Sequence, residues 1–190
     1  MSRVRRLREL GQGLMEWGGG EAWELVKSCQ RSAVSLVNTI TSLFPGFRDC
    51  SIYKGSHVWF LKRAQILVAD LWGALKEEEE GRCDFYDINR LTMFADYRVP
   101  QLLREEGIMV YDPSLARRVD EREEIQFGSE EESEIRGGTI QAVELLKHSI
   151  NKRLIGLDLS SVQIDWLLWQ KGEERKDLIK PHHRTLTTFY

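Results

Sequence analysis

Between Glu21 and Phe44, apolar or small side chains fall at Ala22, Leu25, Val26, Cys29, Ala33, Leu36, Val37, Ile40 and Leu43. Steps of three and four place them on one face of a helix, which a strand of period two cannot do. Pro45-Gly46 stops the pattern. A helix of this kind must bury its stripe against other elements, so the expectation is one long helix in a helical fold. Leu7, Leu10 and Leu14 predict another, from about Arg3 to Trp17, ended by Gly18-Gly19-Gly20. A third runs from about Leu61 to Glu77, with Ile66, Ala69 and Leu75 as its inward face, and the glutamate run Glu77–Glu80 after it reads as a solvated end.

End signals divide the rest of the chain. Asp87 is read as the cap of a short helix through Leu91, Phe94 and Ala95. Pro100 stops that helix or opens the next, which runs to Glu106 and ends at Gly107. Asp112-Pro113 starts a further short helix. Ser129-x-x-Glu132 is a capping box for a helix that turns Ile135, Val143, Leu146, Ile150 and Leu154 inward. Ser160 or Ser161 caps a last helix, Val162–Trp169. In 51–60, Lys54-Gly55-Ser56 between β-formers suggests a small hairpin. Strands do not alternate with helices, so the fold class is all-α with at most one small β-hairpin, in a single domain over residues 1–190.

Composition narrows the chemistry. A chain that is 42% hydrophobic and 30% charged is globular. Its net charge of -3 gives no global attraction to nucleic acid or anionic membrane. The longest apolar stretches are too short to span a bilayer, and no apolar segment follows the basic start Met1-Ser-Arg-Val-Arg-Arg, so a secretory signal is not expected. Cys29, Cys50 and Cys83 are odd in number and lack paired spacing, which points to a reducing compartment, cytoplasmic or also nuclear. The dinucleotide, P-loop, nucleophile-elbow and His-Glu-x-x-His motifs are all missing, and the four histidines have no metal spacing.

Two carboxylates stand out. Asp96 sits in Met93-Phe-Ala-Asp-Tyr-Arg98 at a helix junction, and Asp165 interrupts the apolar run Ile164-Asp-Trp-Leu-Leu-Trp169. A carboxylate in such company is paired, desolvated or turned to solvent. On the residues alone, Asp96 is either a cap or partner of Arg98, or a reactive group, and Asp165 is either a paired core-edge residue or a ligand contact. Trp166 and Trp169 fill core or stack on a base, and Lys62-Arg63 is an ordinary charged pair opening a helix.

Four runs carry a resemblance. They are Phe60-Leu-Lys-Arg-Ala-Gln-Ile-Leu-Val-Ala-Asp-Leu-Trp72, Leu91-Thr-Met-Phe-Ala-Asp-Tyr-Arg-Val-Pro-Gln101, the Glu134–Leu146 segment around Ile-Arg-Gly-Gly-Thr, and Ile164–Trp169. With His183-Arg184 and Phe189-Tyr190 at the tail, they resemble the queuosine salvage family of queuosine 5′-phosphate N-glycosylase/hydrolases. The resemblance implies an all-helical, DNA-glycosylase-like fold and places this chain as the C-terminal portion of the family's usual length. It implies hydrolysis of the N-glycosidic bond of queuosine 5′-phosphate, with release of queuine for tRNA modification and no metal or cofactor. Asp96 matches the carboxylate that acts as nucleophile or transition-state stabiliser. Asp165 matches a base-binding residue. Phe94, Ala95, Tyr97, Arg98, Trp166 and Trp169 become substrate contacts, and Lys62, Arg63, His183 and Arg184 candidates for the 5′-phosphate. The partner implied is the small-molecule substrate, with no membrane and no direct nucleic-acid binding. The alternative from another class is an inactive form that serves as a ligand-binding or interaction module.

Overall fold

The computed structural model describes residues 3–78 and 81–190. Met1 and Ser2 of the basic start, and Glu79 and Glu80 of the acidic run, lie outside the described residues. The chain forms two compact units: one takes Met1–Asp49, Leu61–Leu91 and Phe189, the other Cys50–Phe60, Thr92–Thr188 and Tyr190. Among the described residues, no helix is long and apolar enough to cross a membrane.

The first unit holds α1 (Arg3–Gly18), α2 (Ala22–Ser28), α3 (Ala33–Leu43) and α4 (Lys62–Leu75). The stripe from Ala22 to Leu43 is therefore two helices rather than one. Gln30 and Arg31 adopt left-handed backbone at φ 50° and 62°, which no helix interior accommodates. Ser32 then restarts the chain as the cap of α3, its Oγ accepting the Ser35 N–H. Asp87 supplies the rest of that cap: its Oδ1 accepts the Ala33 N–H at 2.6 Å and its Oδ2 the Ser32 hydroxyl at 2.8 Å. The short helix expected after Asp87 is only a 3₁₀ turn, Ile88–Arg90, because the capping carboxylate is spent on α3. The stripe still builds the core: Leu25, Val26, Cys29, Ala33, Leu36, Val37 and Ile40 are buried, as are Ala64, Val68 and Ala69 of α4, which packs against α3. Ile66 and Leu75, expected inward, are only half-buried. Gly13 of α1 is required by Phe44, whose ring would lie 2.5 Å from an added Cβ.

The second unit holds β1 (Cys50–Tyr53) and β2 (Ser56–Trp59), an antiparallel hairpin turned by Lys54 and Gly55 at positive φ. It also holds α5 (Arg98–Glu105), α6 (Pro113–Asp120), α7 (Glu130–Arg153) and α8 (Ser161–Arg175). The expected caps are present on α6 and α8: Asp112 accepts the Ser114 N–H, and Ser160 and Gln163 form a complete capping box. On α7 Ser129 accepts the Glu132 N–H, but the Glu132 carboxylate turns into the core instead of back to Ser129. Leu154, expected inward on α7, is exposed beyond the helix end. The core joins Phe60, Met93, Ala95, Val99, Leu103, Val143 and Ile164, and a second cluster gathers Leu115, Val119, Ile125 and Ile135. Mainly helical with one small hairpin is thus the fold class.

Candidate active site

Residues 92–97 form an irregular segment that leads into α5. Its backbone groups find no partners in a ladder, and side chains from distant parts of the second unit supply them. Asp165 of α8 accepts the Phe94 N–H through Oδ1 at 3.0 Å. Arg136 of α7 donates from Nε to the Ala95 carbonyl at 3.2 Å. Asp96 accepts the N–H groups of Arg98 and Val99 through Oδ1, at 2.9 and 3.1 Å. These are the orphan donors of the first turn of α5, so Asp96 sits on a helix N-terminus, which stabilises negative charge. It is 6% exposed and Asp165 4% exposed. The two carboxylates singled out from sequence therefore both act on the 94–99 stretch, Asp165 at the Phe94 N–H and Asp96 at the Arg98 and Val99 N–H groups.

Around this segment the neighbours of Asp96 are also fixed. Phe94 and Ala95 are buried. The Tyr97 ring lies 4.5 Å from the His182 ring and 6.5 Å from that of Tyr190. Arg98 serves Asp96 through its backbone N–H, while its guanidinium takes other partners: Nε donates to Glu173 at 2.6 Å, Nη1 donates to Gln101, and the group stands over the Tyr97 ring. Lys176 and Arg98 together hold the Glu173 carboxyl below the usual carboxylate range. Gly172 of α8 leaves room for Arg98, since an added Cβ would meet its Cγ at 2.9 Å.

Arg98 and Arg184 also line one cavity of about 390 Å³ with Arg122, Lys176, Asp177 and His182. Arg98, Arg122, Lys176 and Arg184 bring four cationic side chains to its lining and Asp177 one carboxylate, with Arg98 and Lys176 already paired to Glu173. His183 is not among the lining residues. It is 1% exposed, and burial, with His182 and Arg136 nearby, pushes its pKa down to about 3, so it supplies no positive charge to a phosphate at neutral pH. Trp166 is half-buried and Trp169 is 46% exposed, so Trp169 does not fill core. Lys62 and Arg63 belong to the first unit. Lys62 opens α4 with its N–H on Asp49, and Arg63 stands over the Phe47 ring with Nη1 donating to the Gly46 carbonyl.

Sequence reasoning read Glu132 only as part of a capping box and did not single out Arg136, yet both are fully buried at the centre of this arrangement. The available signal was their spacing. Glu132, Ile135, Arg136, Thr139 and Val143 share one inward face of α7, and a charged i, i+4 pair on such a face is a buried pair. Arg136 stacks on Phe60 at 3.9 Å and on Tyr190 at 4.9 Å. Glu132 lies 3.6 Å from Arg136 and accepts the Tyr190 hydroxyl at 2.8 Å. Burial and the Glu132 charge raise the Tyr190 pKa well above the ordinary phenol value, so the phenol keeps its proton.

The chain as a whole is similar to known proteins. A family model described as queuosine salvage protein matches residues 1–190. Curated relatives from Dictyostelium discoideum and Sphaerobacter thermophilus, each named queuosine 5′-phosphate N-glycosylase/hydrolase, are each 47% identical over 188 residues. A mouse relative of the same name is 38% identical over 195 residues. Each alignment covers 99% of this chain, which spans 57% of the length of these relatives. With the family match running through every element that builds the Asp96 segment, the chain belongs to the queuosine salvage protein family.

Proposed function

We propose that this chain carries the site that hydrolyses the N-glycosidic bond of queuosine 5′-phosphate and frees queuine. The observation that carries the reading is Asp96: a buried carboxylate held in one orientation by two N–H donors at a helix start. Breaking a ribosyl N-glycosidic bond builds positive charge at the anomeric carbon, and a fixed carboxylate stabilises or attacks that centre. The base is a 7-deazaguanine and has no N7 to protonate, so the sugar side carries more of the barrier. A preorganised aspartate suits that demand.

The remaining assignments follow the geometry. Asp165 keeps the Asp96 segment in place through the Phe94 N–H and is the candidate acceptor for the guanine-like N–H edge of the base. The cavity lined by Arg98, Arg122, Lys176 and Arg184 is the candidate seat of the 5′-phosphate, because clustered guanidinium groups match phosphate oxygens. The small molecule is the only partner this chemistry requires.

Incubation with queuosine 5′-phosphate, followed by chromatography for free queuine, tests the reading. Release that disappears in Asp96→Asn supports it. Binding of the nucleotide without release favours the ligand-binding module instead, and a full rate in folded Asp96→Asn removes Asp96 from the chemistry.

A further inference from the structure

The tail of the second unit is strapped to its body. Gln101 donates to the Lys180 carbonyl at 2.8 Å, and the Ile125 N–H donates to the Arg184 carbonyl at 2.7 Å. This path delivers Tyr190 to the buried Glu132–Arg136 pair. The phenol has one proton, and the hydroxyl donates it in a hydrogen bond to Glu132 at 2.8 Å. His183 Nε2, 3.3 Å from the phenol oxygen, must then be the donor in that contact, which fixes the neutral imidazole as its Nε2–H tautomer.

A fully buried ion pair is held in one geometry only if further hydrogen bonds complete it. Those of Glu132 include one from Tyr190 and one from the Gly128 N–H at 3.2 Å. Arg136, packed between the rings of Phe60 and Tyr190, can then spend Nε on the Ala95 carbonyl. Ala95 immediately precedes Asp96. Tyr190 also lies 6.5 Å from the ring of Tyr97, which immediately follows Asp96. Both neighbours of the carboxylate are thus tied to the same tail residue.

We propose that Tyr190 is a positioning residue for Asp96, acting through Glu132 and Arg136 on one side and the Tyr97 ring on the other. The proposal rests on the reading of Asp96 as the carboxylate of the reaction. Losing the phenol hydroxyl removes a donor from Glu132, draws Arg136 toward it, and loosens the Ala95 carbonyl while leaving the ring in place.

The test compares the unaltered chain, Tyr190→Phe, Tyr190→Ala and the control Leu115→Ala, which opens the second apolar cluster without touching the network. In steady-state queuine release, Tyr190→Phe is expected to lower kcat about tenfold at nearly constant KM, since small displacements of a reacting group are costly. Leu115→Ala is expected to lower the melting temperature and keep kcat. A second readout needs no activity. Hydrogen exchange of the Arg98 and Val99 amides, both bound to Asp96, is expected to lose about tenfold protection in Tyr190→Phe but not in Leu115→Ala. Unchanged exchange in both Tyr190 variants overturns the proposal, as does an unchanged kcat in both. An unaltered chain that releases no queuine while Tyr190→Phe still loses protection refutes the reaction assignment and supports the coupling of Tyr190 to the Asp96 segment.

Discussion

Asp96 does two jobs that a pair of substitutions separates. Its Oδ1 satisfies two N–H groups at the start of α5, and its charge is assigned to the reaction. Asp96→Ala removes both hydrogen bonds from a site that is only 6% exposed. At a net 0.5–1.5 kcal/mol each, the loss is about 1–3 kcal/mol of stability, overlapping the roughly 0.5–2 kcal/mol of a missing helix cap. Asp96→Asn keeps an oxygen of the same shape in the same place, so its amide can still accept both N–H groups, and stability should change by less than about 1 kcal/mol. The charge, however, is gone. Removing one preorganised electrostatic group from a transition state costs roughly 10²–10³-fold in rate, or about 2.7–4 kcal/mol. Urea unfolding of the three proteins, alongside kcat/KM for queuine release, gives both quantities. The expected pattern is a slow, stable Asn variant and a slow, destabilised Ala variant. An Asn variant within threefold of the unaltered rate refutes the catalytic assignment, and an Ala variant of unaltered stability refutes the capping role.

Further outcomes follow from the same geometry. Asp165→Leu leaves the Phe94 N–H buried without its acceptor and should cost about 1–3 kcal/mol by urea unfolding, whereas Asp165→Asn, which keeps an acceptor oxygen, should cost less. Equal losses in the two would show that the Phe94 contact contributes nothing. His183 has a folded pKa of about 3 against an ordinary 6.5, so below pH 6.5 the unfolded chain binds a proton that the folded chain refuses. Its contribution is therefore intact above pH 6.5 and lost as pH falls toward 3, with a slope near 1.4 kcal/mol per pH unit, and His183→Gln should flatten the stability–pH curve by that one proton between pH 6 and 4. Gly172→Ala, ordinarily a gain in a helix, should destabilise by about 1–3 kcal/mol in thermal unfolding, because the new Cβ meets the buried Arg98 side chain.

Local signals were legible in the sequence wherever the structure uses them locally. Asp112, Ser129 and Ser160 bond to N–H groups two or three residues ahead, so their capping motifs could be read without a fold. The Lys54-Gly55 turn carries its own left-handed backbone preference. Asp87 misled because its partners lie more than fifty residues back, at Ser32 and Ala33. The break at Gln30-Arg31 was missed for a related reason. The apolar period continues across it, and two left-handed residues shift the helix axis without disturbing the pattern.

The site divides in the same way. The sequence by itself determined that Asp96 and Asp165 are carboxylates in apolar surroundings, and the run around Asp96 pointed to a family and a reaction. Only the tertiary structure decided what those carboxylates touch. Asp165 meets the Phe94 N–H 71 residues away, Arg136 meets the Ala95 carbonyl 41 residues away, and Tyr190 meets Glu132 58 residues away. Periodicity records which face of a helix is buried, because burial repeats with every turn. It does not record which buried polar groups meet, because a hydrogen bond between distant residues depends on how helices cross, and no local pattern encodes that. His183 shows the consequence: as a residue type it was a candidate phosphate ligand, and burial beside Tyr190 makes it a neutral donor inside the wall of the site.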